Sequence, residues 1–319
     1  MEEKGLEISI RDIRSIVQKV LSEVGKVIVG KLDILQNIFI ALLADGHVLL
    51  EGVPGVAKTA MAKAFSDALG CEFKRIQFTP DLLPADIVGT NVYDQKSGRF
   101  YLRKGPIFAN IVLADEINRA PPKTQSALLE CMQERQVTIE GETYYLPKPF
   151  MVLATQNPIE LEGTYPLPEA QVDRFFFKLL VDYPNPEEEL EILKRKNEPE
   201  EVTVEKITSP QMVVAMQEAV RKVYVDESLF EYIKNIVLKT RNHPQILLGA
   251  STRASIVLLC AAKARAAILG RDFVIPDDIK SLVFPVLNHR IILKPEAELE
   301  GISSDRIINE ILEEVEVPV

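Results

Sequence analysis

Short apolar segments separated by helical patterns are the feature that most limits the fold of this chain. Five such segments are bounded by a glycine, a proline or a charge: His47–Glu51, Phe73–Phe78, Asn110–Asp115, Phe150–Thr155 and Phe175–Val181. Continuous apolar runs of this length are typical of strands that are buried on both faces. Their alternation with helical patterns predicts an α/β fold with a five-stranded, mostly parallel sheet.

Two further stretches alternate apolar and polar residues on either side of a polar centre. Thr90–Arg103 is centred on the letters QKSG, and Arg135–Leu146 is centred on EGE. Alternation across a turn is typical of antiparallel strand pairs. We therefore expect two β-hairpins that project from the sheet rather than lie within it.

Helical patterns dominate both ends of the chain. The first runs from Ser15 to about Leu43 and is interrupted near Gly25–Gly30. A break at Tyr183-Pro-Asn-Pro and a charged segment, Glu187–Glu205, precede the others. Four helical patterns follow that segment: Pro210–Val223, Glu227–Arg241, Thr252–Leu269 and Pro276–Leu287.

The length of 319 residues has room for about two domains. We place the boundary in the charged segment, near Lys196. The predicted domains are an α/β core over residues 1–196 and a helical domain over residues 197–319.

The overall charge is acidic, because 37 Lys and Arg residues stand against 47 Asp and Glu residues and give a net charge of −10. This balance disfavours nucleic-acid binding over the whole surface, although a local basic groove is compatible with it. The first residues are charged, and no apolar run approaches the roughly 18 residues of a membrane helix. Three cysteines without a CxxC pair suit a reducing compartment. We therefore expect a cytoplasmic protein without a membrane span.

The letters HVLLEGVPGVAKT place a glycine-containing turn between the first predicted strand and a helix that begins near Lys58. In this layout, backbone N–H groups and a helix N-terminus surround an anion, as in a phosphate-binding loop. Lys58 would reach the terminal phosphates of a nucleotide, and the Thr59 hydroxyl would bind Mg²⁺. Alanine replaces the usual glycine before the lysine, so we expect the backbone at Ala57 not to be left-handed. The candidate binding residues are Gly52, Val53, Pro54, Gly55, Val56, Ala57, Lys58, Thr59 and Ala60.

Polar residues follow two other predicted strands. Asp115 and Glu116 end one apolar segment, and Asn157 follows the next of the five segments. Because ligands bind at the carboxyl ends of parallel strands, these side chains are candidates for one site. Asp115 would face the Mg²⁺ bound by Thr59. Glu116 would act as general base toward a water that Asn157 positions. The alternative for the two carboxylates is ordinary capping of the helical segment that follows them.

Longer stretches of the sequence resemble one known family. The letters LADEINRAPPKTQSALLECMQERQV, LATQNPIELEGTYPLPEAQVDRF, GHVLLEGVPGVAKT and GASTRAS are similar to those of the MoxR family of AAA+ ATPases. The likeness extends from about Val27 to Ile292. It implies an AAA+ core with a helical lid that binds ATP and Mg²⁺ and forms a homo-hexameric ring with nucleotide between neighbours. It also implies that the hairpins are insertions of this clade and that alanine before the lysine is a frequent variant.

The same resemblance gives roles to two arginines. Arg174, in EAQVDRF, matches the arginine finger that reaches into the next subunit's site; the alternative is a local ion pair with Asp173. Arg253, in GASTRAS, matches the sensor-2 arginine of the lid, although Thr252 stands where the family usually has proline. Arg290, in NHRI, is a weaker candidate for action between subunits, and a surface role is its alternative.

Val29 and Gly30 match the segment that lines the adenine pocket in this family. Glycine there would let a flat base approach the backbone. A simple helix break explains the same letters equally well.

The resemblance also implies work on proteins. MoxR-like ATPases act in a chaperone-like way on protein complexes and are commonly associated with von Willebrand factor A domain partners, so we expect a protein client. One alternative is a nucleic-acid-dependent motor, which the acidic net charge disfavours. Others are a magnesium-chelatase-like motor subunit and a nucleotide-controlled switch with little turnover. Basic residues of the first hairpin favour the nucleic-acid motor: Lys96, Arg99, Arg103 and Lys104.

Overall fold

The computed structural model describes residues 8–158, 163–197 and 202–318. In chain order its helices are α1 (Ile10–Val27), α2 (Leu32–Leu43), α3 (Lys58–Leu69), α4 (Pro84–Val88), α5 (Pro122–Glu134), α6 (Glu169–Val172), α7 (Pro186–Asn197), α8 (Pro210–Arg221), α9 (Glu227–Asn242), α10 (Thr252–Ile268), α11 (Pro276–Leu287), α12 (Pro295–Leu299) and α13 (Ser304–Glu314). Its strands are β1 (Val48–Glu51), β2 (Phe73–Gln77), β3 (Gly89–Asp94), β4 (Arg99–Lys104), β5 (Ile111–Asp115), β6 (Gln136–Ile139), β7 (Glu142–Tyr145), β8 (Met151–Gln156), β9 (Phe177–Leu180), β10 (Ile246–Leu248) and β11 (Ile292–Leu293).

Five of these strands form a parallel sheet in the order β2-β5-β8-β1-β9. They coincide with the five apolar segments, so the predicted α/β fold with a five-stranded sheet is confirmed. Successive side chains of a strand point to opposite faces. In β1, Val48 and Leu50 pack with α1, α2 and α3 on one face, whereas Leu49 packs with α5 on the other. Because helices cover both faces, the inner strands β1, β5 and β8 are almost entirely buried. The edge strand β2 differs, since it exposes Lys74, Arg75 and Gln77.

Four further strands form the two predicted hairpins. β3 pairs with β4, and β6 pairs with β7, both in antiparallel register. The first hairpin exposes aromatic side chains on β4, where Phe100 is 69% and Tyr101 is 52% exposed. Neither hairpin is hydrogen-bonded into the central sheet.

The first helical pattern forms two helices, α1 and α2. α1 begins before the predicted start because Ser9 and Asp12 form a capping box. The Ser9 hydroxyl accepts from the Asp12 N–H at 3.2 Å, and the Asp12 carboxylate accepts from the Ser9 N–H at 3.3 Å. The helical conformation is interrupted between α1 and α2 at Gly30 and Lys31, which both have positive φ angles.

The last third of the chain is helical, as predicted. Helices α8 to α11 lie close to the predicted bounds, and α10 packs against α1, α2, α9 and α11. One continuous apolar cluster joins these helices to one face of the sheet. The two-stranded ribbon β10–β11 and the helices α12 and α13 complete this part.

Helix α7 lies within the segment that the sequence describes only as charged. Its first turn contains Glu187, Glu188 and Glu189, and its last turn contains Lys194 and Lys196. Acidic residues near a helix N-terminus and basic residues near its C-terminus stabilise a helix through its dipole. Residues 198–201 of that segment lie outside the described residues, and the domain boundary near position 196 stays a prediction. In the part of the chain that the structure describes, no helix is both long and apolar enough to span a membrane.

Candidate functional site

The candidate phosphate loop connects β1 to α3 at the carboxyl end of the sheet. Gly52 leaves β1 between two neighbouring strands and donates its N–H to the Gln156 carbonyl at 3.2 Å. A Cβ at position 52 would lie 2.4 Å from the carbonyl oxygen of Val181. The close approach of these chains therefore requires glycine, and it fixes the direction in which the loop leaves the sheet.

The backbone at Ala57 differs from the expectation. Ala57 is the N-cap of α3 and has φ 60° and ψ 20°, which is the left-handed region. The expectation that this backbone is not left-handed was therefore wrong. A left-handed alanine costs about 1–2 kcal/mol relative to the right-handed form, because its Cβ crowds the backbone carbonyl. The fold of the loop determines this conformation despite the methyl group.

Lys58 is the first residue of α3, and its side chain folds back over the loop. Its ammonium donates to the Gly52 carbonyl and, at 3.2 Å, to the Val53 carbonyl. Burial lowers the pKa of Lys58, and the carboxylates of Asp115, Glu116 and Glu51 oppose that shift. The lysine is thus partly desolvated and bonded to neutral acceptors, which favours exchange of those bonds for an anion.

Asp115 lies at the end of β5 and is held from three sides. The Thr155 hydroxyl donates to its Oδ1 at 2.6 Å, and the Thr59 hydroxyl donates to its Oδ2 at 3.4 Å. Arg75, on the neighbouring strand β2, donates to the same Oδ2 from Nε at 3.0 Å and from Nη2 at 2.7 Å. The proposed cation ligands Thr59 and Asp115 therefore lie in direct contact.

Glu116 has a left-handed backbone, with φ 58° and ψ 50°. Its N–H donates to the Thr155 hydroxyl at 2.8 Å, so one threonine contacts the Asp115 carboxylate and the Glu116 backbone. Gln77 donates to the Glu116 carboxylate at 2.7 Å, and Arg119 forms an ion pair with it at 3.2 Å. Glu116 is the N-cap residue of a short 3-10 helix, Ile117–Arg119, but its side chain makes no capping hydrogen bond and contacts Gln77 of β2 instead.

A cavity of about 360 Å³ lies at the carboxyl ends of β1, β5 and β8. Residues 54–60 of the loop line one side, and the other side is lined by Asp115, Glu116, Thr155 and Asn157. Asn157 is buried. The structure thus brings the loop together with all three predicted strand-end residues, whereas Gly52 and Val53 flank the cavity.

The three predicted arginines lie on the side of the sheet where β9 begins. Arg174 follows α6 and is exposed, and Arg253, in the first turn of α10, donates to the Asp173 carboxylate at 2.7 Å. Arg290 is buried and forms hydrogen bonds with Asp173, Phe175 and other core residues. The surface role considered for Arg290 was wrong, because its guanidinium is enclosed within its own subunit. Its role between subunits stays a prediction.

Known protein families and individual relatives match most of this sequence. The model of the ATPase family associated with various cellular activities (AAA) matches residues 47–177, and the AAA lid domain model matches residues 238–311. The chain is 46% identical to the chaperone MoxR1 of Mycobacterium tuberculosis, over 95% of this chain and 82% of that protein. The chain belongs to the MoxR family of AAA+ ATPases.

Two other relatives match this MoxR-family chain over nearly its whole length. An uncharacterized protein of Bacillus subtilis, YeaC, is 52% identical over 97% of both chains. A crystal structure of a protein from Cytophaga hutchinsonii, named as a candidate ATPase, superposes with a TM-score of 0.91 at 49% identity. That superposition covers 97% of this chain and 96% of the other.

Val29 and Gly30 are not among the residues that line the cavity of this MoxR-family protein. Gly30 has φ 66°, and a Cβ there would overlap the carboxylate of Glu188 in α7. The glycine is thus explained by the turn between α1 and α2 and by its contact with α7. A role of Val29 and Gly30 at an adenine ring stays a prediction.

Four residues of the site are absent from the sequence predictions: Arg75, Gln77, Thr155 and Arg119. Arg75 and Gln77 alternate along β2 and therefore share a face, and Gln77 is in register with Asp115. The sequence pattern of β2 alone does not show which strand β2 pairs with, so it does not place Gln77 beside Asp115. Thr155 carried a signal, because a hydroxyl stands two residues before Asn157 at the end of an otherwise apolar strand.

Proposed function

We propose that this MoxR-family protein binds ATP with Mg²⁺ at the carboxyl ends of β1, β5 and β8 and hydrolyses it to ADP and phosphate. One observation supports the proposal most directly. The loop, Lys58, Asp115, Glu116 and Asn157 converge on a single cavity of about 360 Å³. Cavities with a few convergent polar groups at the ends of parallel strands are typical ligand sites of α/β proteins.

The phosphate chain would lie against the loop, where α3 begins. Residues 54–60 line that side of the cavity, and the first N–H groups of a helix have no partner within the helix. Lys58 would transfer its hydrogen bonds from the carbonyls of Gly52 and Val53 to phosphate oxygens. A charged acceptor makes the stronger hydrogen bond, so this exchange favours the bound anion.

Thr59 and Asp115 fit a Mg²⁺ ion beside those phosphates. Both supply oxygen ligands, which Mg²⁺ prefers, and both line the same cavity. Mg²⁺ usually takes only one or two protein oxygens together with phosphate and water, so this pair is sufficient. When bound, the ion neutralises charge on the phosphate groups.

Glu116 and Asn157 would act on the attacking water. The hydrogen bond from its N–H to Thr155 fixes Glu116, and the carboxylate lies at the cavity, where it can accept a proton. Asn157 is buried beside it and can orient the same water through its amide. Positioning of a water against the terminal phosphate is the main task of a protein in this reaction.

The arginines would complete the site when subunits assemble. Arg174 is exposed, so it is free to reach the nucleotide of a neighbour in a homo-hexameric ring, as the MoxR resemblance implies. Arg253 would contact the terminal phosphate from the helical lid. The lid would then move with the nucleotide state and convey that motion to a client.

The client is proposed to be a protein complex that the ring remodels or matures. MoxR1 of Mycobacterium tuberculosis, at 46% identity, is named a chaperone. The family resemblance makes a von Willebrand factor A domain protein the first partner to try. The exposed aromatic side chains of the first hairpin, Phe100 and Tyr101, provide a surface for such contacts.

The first experiment replaces Lys58 and compares it with a lysine on the same helix. Lys58→Ala should weaken binding of a fluorescent ATP analogue by at least tenfold, because a charge-assisted bond to phosphate is lost. Lys63→Ala is the matched control, since Lys63 is exposed on α3 and lies outside the cavity. Equal affinity of both variants would contradict the proposed phosphate site.

The second experiment tests action between subunits. Arg174→Ala and Glu116→Gln should each lose turnover but bind ATP. In a one-to-one mixture, about a quarter of head-to-tail interfaces combine an intact Glu116 with an intact Arg174. Turnover should therefore return to about that fraction of the wild-type value, whereas two inactive preparations that stay inactive together would contradict a finger in trans.

A nucleic-acid motor is the second candidate, and one observation favours it. Strand β4 exposes Arg99, Arg103 and Lys104 beside Phe100 and Tyr101, a combination that suits a phosphate backbone and stacked bases. Binding of single- and double-stranded DNA at about 50 mM salt would support it, with an affinity that falls as salt rises. Failure to bind at that salt concentration would remove this candidate.

A further inference from the structure

The carboxylate of Asp173 joins two arginines of the helical lid. Arg253 donates from Nη1 to Oδ2 at 2.7 Å, and Arg290 donates from Nε to Oδ1 at 2.8 Å. The two arginines belong to separate parts of the lid, since Arg253 lies at the start of α10 and Arg290 follows α11. Asp173 itself caps the short helix α6 and immediately precedes Arg174.

Arg290 also holds the backbone on both sides of Arg174. Its Nη2 donates to the Asp173 carbonyl at 3.1 Å and to the Phe175 carbonyl at 2.6 Å, and its Nη1 donates to the Phe176 carbonyl at 3.3 Å. The Arg290 side chain is only 1% exposed. Burial lowers its pKa to about 10, with Asp173 opposing the shift, so the guanidinium stays charged at neutral pH.

The side chain of Arg174 projects from a segment that is otherwise fixed. Phe175 and Phe176 are buried directly after it, and the lid residue Asn288 donates to the Lys178 carbonyl at 3.1 Å. Fixed backbone on both sides determines the direction of an exposed side chain. Small errors in the placement of a catalytic group reduce rates strongly, so such a support has a functional consequence.

We propose that Asp173 is a positioning residue for Arg174. Through its hydrogen bond with the buried lid residue Arg290, it fixes the point from which Arg174 leaves its own subunit toward the next subunit's nucleotide. The inference rests on the proposed function, in which Arg174 acts in trans. The inference adds a physical link between the lid of one subunit and the nucleotide site of the next, because the lid residue Arg290 bonds the segment that contains Arg174.

The test replaces Asp173 with its uncharged isostere. Asp173→Asn should bind a fluorescent ATP analogue within about twofold of the wild-type affinity, because Asp173 does not line the cavity. Its turnover should fall by about tenfold to a hundredfold, because Arg174 is displaced. Sizing in the presence of ATP confirms that the variant assembles.

Mixed assemblies provide the readout that a purely structural role would not change. Asp173→Asn mixed one-to-one with Glu116→Gln should regain turnover, because the Glu116→Gln subunit presents an intact Arg174 to an intact site. Asp173→Asn mixed with Arg174→Ala should not rise above the turnover of Asp173→Asn alone, because both subunits then present a defective finger.

The outcomes separate this inference from the proposed function. If Arg174→Ala is rescued by Glu116→Gln but Asp173→Asn is not, Asp173 acts within its own subunit and the inference is overturned. If neither variant is rescued, action of Arg174 in trans is itself wrong, and the inference is overturned with it. Should Asp173→Asn not fold, Arg290→Lys replaces it, because a lysine cannot make the same bonds to Asp173, Phe175 and Phe176. The same rescue pattern is then expected.

Discussion

Arg75 donates two hydrogen bonds, of 3.0 and 2.7 Å, to a single carboxylate oxygen of Asp115. The Thr59 hydroxyl contacts that same oxygen at 3.4 Å. Thr59 and Asp115 are the proposed ligands of Mg²⁺. The guanidinium therefore supplies positive charge to the carboxylate that the cation would use, and the two compete for it.

Replacing Arg75 should lower the Mg²⁺ concentration required for nucleotide binding. A half-exposed ion pair is worth about 0.2–1 kcal/mol, so Arg75→Gln should shift the Mg²⁺ midpoint by up to about fivefold. The measurement is a Mg²⁺ titration of fluorescent-nucleotide affinity. Arg99→Gln, at an exposed position of the first hairpin, is the control for the loss of one charge. A midpoint that is unchanged or higher in Arg75→Gln would contradict competition.

Thr155 should contribute to both stability and turnover, because its hydroxyl contacts Asp115 and the N–H of Glu116. Thr155→Val leaves those groups without their buried partner and should cost about 1–3 kcal/mol in urea unfolding. Its turnover should fall as well. Thr155→Ser retains the hydroxyl and should stay close to the wild type in both measurements. Equal stability and equal turnover of Thr155→Val and Thr155→Ser would contradict the role of the hydroxyl.

Gly52 and Gly25 offer a matched pair of glycine substitutions. Gly52→Ala places a Cβ 2.4 Å from the Val181 carbonyl oxygen, so the loop or β9 has to shift. We expect lower thermal stability together with weaker nucleotide binding. Gly25→Ala lies within α1 with nothing within 4 Å of the new Cβ, and it should stabilise the helix by about 0.5–1 kcal/mol. Nucleotide affinity of Gly52→Ala equal to that of Gly25→Ala would contradict the role of Gly52.

Buried His47 should make the protein less stable as the pH falls. The Val152 N–H donates to Nδ1 at 2.9 Å, so Nε2 carries the proton that bonds the Met132 carbonyl. Burial, with the charge of Arg135, lowers the pKa of His47 well below 6.5. Below pH 6.5 the imidazole gains a proton in the unfolded state but not in the folded state. The contribution of His47 to stability is therefore fully present above pH 6.5 and decreases as the pH falls below it.

The slope of the unfolding free energy against pH tests whether His47 is the group responsible. One such histidine contributes about 1.4 kcal/mol per pH unit below 6.5. Urea unfolding between pH 7.5 and 5.5 should therefore show a smaller slope in His47→Gln, whose amide can replace both hydrogen bonds. Burial also lowers the pKa of His289, so a residual slope is expected. An unchanged slope in His47→Gln would show that His47 is not responsible.

The sheet and the hairpins could be predicted because their determinants are local. Inner strands covered on both faces are mostly apolar, and each strand of the sheet lies within its predicted run except that β8 extends one residue further, to Gln156. Helix α7 was missed because its side chains include none that is buried, so it has no apolar face for a pattern to reveal. The strands of the ribbon, Ile246–Leu248 and Ile292–Leu293, are too short to show a period.

The site was predictable to the extent that it depends on strand ends. Lys58 begins α3, Asp115 ends β5, and Glu116 and Asn157 follow strands at the same edge of the sheet; all four line one cavity. The supporting residues depend instead on pairing between distant segments. Gln77, for example, lies opposite Asp115 only because β2 pairs with β5 in that register.

Two errors have the same physical origin. Ala57 is left-handed and Arg290 is buried because tertiary contacts override local preference at each position. Arginine is exposed in most proteins, so the letters NHRI alone do not predict that Arg290 is buried. Its burial depends on the carbonyls of Phe175 and Phe176, which are distant in the sequence and accept hydrogen bonds from its guanidinium.

The most direct test of the central claim, that Glu116 activates water for ATP hydrolysis at this site, compares the wild type with Glu116→Gln. Phosphate release per subunit is measured against protein concentration, alongside ATP affinity. Wild-type activity should rise with concentration as sites are completed between subunits. Glu116→Gln should bind ATP with similar affinity yet turn over more slowly by about a hundredfold or more, because the general base is lost. Wild-type turnover in the Glu116→Gln protein would contradict the claim.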